Sequence, residues 1–145
     1  MRYAKERMSD LSRIGVAIDS KLLEKFDEHI ARRGYTNRSE AFRDLIRDAL
    51  IEQNAARPDA IVVGTVTLVY DHHVRMLSER LTEMQHESFH NVLSALHVHL
   101  DHDHCLEVLV IKGKASVVRK LADALISTKG VQHGRLTITT SGAVA

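Results

Sequence analysis

The sequence predicts an α+β chain in two parts: a strand–helix–helix segment, then a βαββαβ segment of the ferredoxin-like kind. Three observations carry this. Residues 12–18 alternate apolar and polar and are followed by two apolar stripes of helical period. The only proline, Pro58, sits in a break between the two parts. Beyond it, four β-rich runs bracket two further helical stripes. The expected organisation is a tail over 1–11, a first domain over 12–54, a linker over 55–59, a second domain over 60–140 and a tail over 141–145.

In the first strand Ile14, Val16 and Ile18 share one face, and Arg13, Gly15 and Ala17 the other. Asp19 or Ser20 can cap the helix that follows, whose stripe is Leu22, Leu23, Phe26 and Ile30. Arg32, Arg33 and Gly34 form a helix stop. The next helix opens with Asn37 as cap and Glu40 reaching back, and continues through Ala41, Phe42, Leu45, Ile46, Ala49 and Leu50. One strand cannot make a sheet, and two short helices bury too little to stand alone. The segment is therefore expected to pair with a second copy, joining two strands into an antiparallel ribbon.

After Pro58, Ala60 to Tyr70 reads as a strand, and Val74, Leu77, Leu81 and Met84 as a helix face. Val92 to Leu100 and Cys105 to Ile111 read as a hairpin. Val117, Val118, Leu121, Leu125 and Ile126 give the last helix, closed by Gly130, and Val131 to Thr139 the last strand.

The hairpin carries the chemistry. Five of the ten histidines lie between His90 and His104, and Cys105 is the only cysteine. His97 and His99 project from one strand face, and a turn over Asp101 to His104 returns the chain to Cys105. Two imidazoles and a thiolate suit late transition metals and are poor ligands for magnesium or calcium. His102 and His104, in the turn, read as solvated or as neighbours of the ligands.

Composition bounds the rest. Hydrophobic residues at 44% and charged residues at 27% describe an ordinary globular protein. Tryptophan is absent and aromatics are scarce, so a small domain here has a thin core, which favours shared cores between copies. No apolar run approaches the roughly 18 residues of a membrane span, which predicts no membrane partner. A single cysteine makes no internal disulfide, in keeping with a reducing cytoplasm. The net charge of +1 does not by itself indicate nucleic acid. The ribbon does: two antiparallel strands fit the major groove of duplex DNA. Arg13 can donate a fork to guanine, Ala17 can touch a thymine methyl, and Gly15 offers no side-chain donor. The free N–H groups at the start of the second helix, with Asn37, Arg38 and Ser39 beside them, can hold a phosphate. Nothing in the sequence resembles a serine-nucleophile or phosphate-loop motif, and no enzyme is expected.

Two motifs bring a family into view. Arg33-Gly34-Tyr35-Thr36-Asn37-Arg38-Ser39-Glu40-Ala41 and the run from Leu96 to Glu107, with Gly130-Val131-Gln132-His133-Gly134, resemble the nickel-responsive NikR repressors over residues 12–138. The resemblance implies a ribbon-helix-helix DNA-binding domain and an ACT-like regulatory domain, assembled as a homotetramer, a dimer of dimers, that binds operator DNA. It implies one Ni(II) per subunit, held by His97, His99 and Cys105, with His86 given by the neighbouring subunit. It makes Glu107 a supporting carboxylate behind the ligands, and places a second, weaker cation site at Glu40 and Asp44. Where members of that family often carry Ser or Thr on the ribbon face, this chain has Gly15 and Ala17, which leaves more of the readout to Arg13. The rival reading of the same His/Cys group is a metal buffer, or a sensor of copper or zinc.

Overall fold

The computed structural model describes residues 11–141. The expectations for residues 1–10 and 142–145 lie outside that range. Contacts divide the chain into two compact units, 1–43 and 44–145.

In the first unit, helix α1 spans Ser20–Arg32. Asp19 caps it, its Oδ1 accepting from the backbone N–H groups of Lys21 at 3.0 Å and Leu22 at 3.2 Å. The helix closes as the sequence predicts: Gly34 takes φ +81°, and the Tyr35 N–H returns to the Ile30 carbonyl at 3.0 Å. Phe26 of α1 stacks on Phe42 with ring centroids 4.9 Å apart, and Ile30 and Ala41 are buried.

Residues 11–19 form no strand within the chain. The expected ribbon needs a second strand, and among the described residues none pairs with this segment. Leu11, Ile14 and Val16 accordingly stay exposed, as does Leu22 on α1.

Helix α2 spans Arg38–Ala55, so it runs on through Gln53 and Asn54 to the first residue of the expected linker. Asn37 caps it, accepting from the Glu40 N–H at 2.9 Å. The Glu40 carboxylate does not close a capping box; it lies 3.4 Å from the Thr36 hydroxyl, a donor nearer to hand. Residues 56–60 turn tightly, and the Pro58 and Ala60 carbonyls accept from Ser116 and Ala115, fixing the start of the last helix.

The second unit carries β1 (Ile61–Asp71), α3 (Leu77–Glu87), β2 (Val92–His99), β3 (His104–Lys114), α4 (Ala115–Ile126) and β4 (Val131–Thr139). This is the expected βαββαβ order. The sheet order is β2-β3-β1-β4, with every neighbouring pair antiparallel. On one face Val62, Val66, Leu68 and Tyr70 of β1 and Cys105, Leu109 and Ile111 of β3 pack with Leu77 and Leu81 of α3 and Val118, Ala122 and Leu125 of α4. On the other face Val98 and Leu96 of the edge strand β2 stand opposite Leu106 and Val108, and both remain exposed.

Val74, expected on the helix face, precedes α3. Successive turns from Asp71 to Val74 and from Val74 to Leu77 keep a three-residue spacing that imitates helical period. Met76, which caps α3, holds a left-handed conformation at φ 64°. Gly130 takes φ +105°, and a Cβ there would stand 2.9 Å from Leu77 Cδ2.

Candidate metal centre

Strand register assembles the centre. β2 and β3 pair with His97 opposite Glu107 and His99 opposite Cys105. Across β3, Tyr70 of β1 also stands opposite Cys105, and Asp71 opposite His104. Directly opposed residues share a face, so His97, His99, Tyr70, Cys105 and Glu107 all project to the helix-covered side.

The Cys105 sulfur lies 3.4 Å from His99 Nδ1 and 3.3 Å from His72 Nδ1. These three residues form one group of convergent donors. A metal with bonds of about 2.3 Å to sulfur and about 2.05 Å to nitrogen sets S···N separations of about 3.1 Å at a right angle and about 3.6 Å at the tetrahedral angle. The observed separations fall between these values, so the donor set fits a late transition metal. The thiol is buried, and that burial pushes its pKa up, with Glu107, Asp101 and Asp71 adding to the shift.

His72 is the residue that sequence reasoning missed. It lies 33 positions from Cys105, and no local spacing links the two. The usable signal was the pairing of strands: the residue after β1 must come beside the start of β3 once those strands are set antiparallel.

His97 sits beside the group, its ring 5.5 Å from that of His99 and its Nδ1 3.5 Å from the Tyr70 hydroxyl oxygen. Tyr70 donates to Glu107 Oε2 at 2.9 Å, and Gln85 donates to Glu107 Oε1 at 2.6 Å. Glu107 is only 6% exposed, and both its oxygens are engaged. It reaches His97 through the tyrosine, a second participant absent from the sequence reading. Burial, and then the hydrogen bond to the Glu107 carboxylate, push the Tyr70 hydroxyl above its ordinary pKa, keeping it a donor at neutral pH.

His86 lies in the last turn of α3, next to Gln85, and is exposed. Within one chain it stands outside the Cys105 group. Glu40 and Asp44 each meet another side chain, Glu40 the Thr36 hydroxyl and Asp44 the Arg47 guanidinium at 2.9 Å.

The residues expected at DNA are all at the surface. Arg13, Gly15 and Ala17 are exposed, and nothing lies within 4 Å of a Cβ built on Gly15. Ser39 is exposed beside the Asn37 cap. Arg38 forks onto Asp27, with Nε–Oδ1 and Nη2–Oδ2 both 2.7 Å, tying α2 to α1. That pairing holds the Asp27 carboxyl below its usual range.

Two helices preceded by an extended segment, followed by a ferredoxin-like domain with a convergent His/Cys group, define a metal-binding protein with a separate N-terminal module. Comparison with known proteins identifies both parts. Residues 12–53 match the family described as ribbon-helix-helix protein, copG family, and residues 63–139 match the NikR C terminal nickel binding domain. The chain belongs to the NikR family. It is 71% identical over 136 residues to a protein of Solibacter usitatus, covering 94% of this chain and 98% of that one. It is 61% identical to a protein of Geobacter sulfurreducens, covering 93% and 97%, and 47% identical to one of Caldanaerobacter subterraneus subsp. tengcongensis, covering 93% and 88%. Each of the three bears the name "Putative nickel-responsive regulator", a regulator's name and not an enzyme's. Among the described residues, no helix is long and apolar enough to cross a membrane.

Proposed function

We propose that this chain is a nickel-dependent, DNA-binding transcriptional repressor of the cytoplasm, acting as a homotetramer on operator DNA. The observation that carries the reading is the convergence of His99 and Cys105, with a further imidazole at 3.3 Å from the sulfur, in a chain whose first segment belongs to the ribbon-helix-helix family.

In this reading one Ni(II) per subunit is held by His97, His99 and Cys105, and His86 of a neighbouring subunit supplies the fourth donor. Three imidazoles and a thiolate in a plane suit low-spin nickel(II), and copper(II) accepts the same set. When bound, the metal supplies a fixed bridge between subunits. The chain's own residues do the remainder: Glu107 and Tyr70 orient His97, and Gln85 ties the end of α3, which carries His86, to the same carboxylate. Metal binding thereby biases the placement of the paired ribbons toward the geometry that grips DNA. There Arg13 reads bases, Gly15 and Ala17 face the groove, and Asn37, Arg38 and Ser39 meet phosphates. The coupling is reciprocal, so operator DNA tightens nickel binding by the same factor.

The position of His72 supports a second ligand set, His72, His99 and Cys105 from one chain. The two sets are told apart by variants: His86→Ala or His97→Ala removes a donor only from the site shared between subunits, and His72→Ala only from the single-chain site. A second, weaker cation at Glu40 and Asp44 is part of the proposal as well.

The deciding experiment is equilibrium binding to the chain's own upstream promoter DNA, with and without one equivalent of nickel, beside Cys105→Ala. Nickel-dependent binding lost in the variant supports a metal-switched repressor. Metal-independent binding means a constitutive DNA binder. Tight metal uptake without DNA binding means a buffer, or a sensor of copper or zinc acting elsewhere.

A further inference from the structure

A second group of donors lies one residue along from the first. His72 turns toward Cys105, whereas its neighbour His73 turns outward, with the two rings 4.2 Å apart. His73 Nε2 lies 3.4 Å from Asp103 Oδ1, and His102 Nδ1 lies 2.7 Å from the same oxygen. The three residues offer convergent ligand atoms, and all three are exposed. We propose that His73, His102 and Asp103 form a second, solvent-facing site for a hydrated divalent ion of the late-transition-metal class.

Separations decide whether these donors suit one ion. Bonds of about 2.1 Å to nitrogen and oxygen set neighbouring donors about 3.0 Å apart at a right angle and about 3.4 Å at the tetrahedral angle. The observed 3.4 Å meets the tetrahedral value and 2.7 Å falls short of the right-angle one by about 0.3 Å, so a small side-chain adjustment accommodates the ion. Two imidazoles and one carboxylate on one side of a metal leave its remaining positions to water, the arrangement of open sites for iron, nickel, cobalt or zinc. Without a metal, His102 Nδ1 and Asp103 Oδ1 lie within hydrogen-bond distance at 2.7 Å.

The turns that carry the donors are fixed in advance. The His72 N–H donates to the Asp103 carbonyl at 3.1 Å, tying the residues after β1 to the β2–β3 turn. Asp71 Oδ1 accepts from the His73 N–H at 2.8 Å. Asp101 Oδ1 accepts from the N–H groups of Asp103 and His104, both at 2.8 Å. The backbones on both sides of the site are thus held before any ion arrives, which lowers the ordering cost of binding. Exposure works the other way: an ion here keeps water ligands and exchanges with solvent, so the site is weaker than one with a buried thiolate.

The two groups differ in spectrum as well as strength. The exposed site has no sulfur, so nickel there adds none of the thiolate-to-metal charge-transfer absorption that Cys105 supplies. The test is nickel(II) binding to the full-length protein, followed by stoichiometry in equilibrium dialysis and by that absorption, for wild type, His102→Ala and Asp103→Asn. His102 is a surface side chain and Asp103→Asn preserves shape, so neither change threatens the fold.

Wild type is expected to take up a further equivalent per chain after the thiolate band saturates. Both variants lose that uptake and keep the full band. Equal stoichiometry in all three proteins, or no uptake beyond saturation in wild type, overturns the proposal. A missing thiolate band with the variant-sensitive uptake intact supports this site and counts only against the nickel–thiolate reading above.

Discussion

The Tyr70 hydroxyl donates to Glu107 Oε2 at 2.9 Å while its oxygen lies 3.5 Å from His97 Nδ1, so one side chain links a buried carboxylate to an imidazole of the hairpin. The hydroxyl has a single proton, and the shorter contact takes it. His97 Nδ1 is then positioned to donate to the tyrosine oxygen, leaving Nε2 free for a metal. Tyr70→Phe leaves Glu107 with Gln85 as its remaining partner. It is expected to cost about 1–2 kcal/mol of stability. Nickel affinity should fall by about tenfold or more, the usual effect of losing a group that orients a ligand. Chemical denaturation and competitive metal titration measure the two effects. Unchanged nickel affinity would remove Tyr70 from the centre.

Cys105 gives a pH dependence with a defined sign. Its thiol is pushed up, chiefly by burial, so at neutral pH the metal-free protein carries the protonated form. Nickel takes the thiolate, and binding releases that proton; affinity should rise by about tenfold per pH unit from this group alone. Calorimetry in two buffers of different ionisation enthalpy counts the proton, and Cys105→Ala should lose it. In the metal-free protein the folded-state pKa lies above the unfolded value of about 8.5. The contribution to stability is therefore present below that pH and fades as pH rises through the folded pKa. Thermal unfolding of metal-free protein should show a decline on the alkaline side that Cys105→Ala lacks.

Arg38 is committed to Asp27 in the free chain. If the arginine meets a phosphate on DNA, that fork must loosen or share its donors. Arg38→Ala should weaken binding across DNA sequences and reduce the slope of log affinity against log salt by about one. Asp27→Ala should tighten binding, since it frees the guanidinium. Fluorescence anisotropy across a salt series reads both. Identical slopes for all three proteins would assign Arg38 to the α1–α2 tether alone.

On the open face of the sheet, Val98 of β2 is opposed to Leu106, and Leu96 to Val108. The tetramer of the proposed function would cover an exposed apolar edge of this kind. Val98→Lys should lower the assembly from tetramer to dimer in sedimentation velocity, with circular dichroism unchanged. A tetramer that survives the lysine places the contact elsewhere.

Met76 is the one non-glycine residue with positive φ among those described, and it is exposed. The left-handed region costs a side chain about 1–2 kcal/mol, whereas glycine enters it freely. Met76→Gly should raise the melting temperature by a few degrees, less whatever entropy the glycine adds to the unfolded chain. A lower melting temperature would mean that the methionine side chain contributes packing that outweighs its backbone strain.

The sequence reached the fold because its signals are local. Runs of β-forming residues marked β1 to β4, Asp19 and Gly34 bounded α1, and Gly130 closed the last helix. His99 and Cys105 were legible for the same reason, since a hairpin brings near neighbours together. Tyr70 and His72 were not, because a β1–β3 pairing places them and no short window contains both strands. Val74 misled because turns of three residues copy the period of a helix. The segment over residues 12–18 is a different matter: its alternation is plain, yet among the described residues no strand pairs with it.

That last point bears on how much of the protein must be present before it acts. Residues 11–19 carry backbone donors and acceptors that no strand among the described residues satisfies, under exposed apolar side chains. In the proposed function a second copy completes them, so the ribbon would form with the square of chain concentration. On that reading the exposed segment would be open to proteases at low abundance and shielded at high abundance. The leading segment would then make the lifetime of each molecule depend on the supply of others.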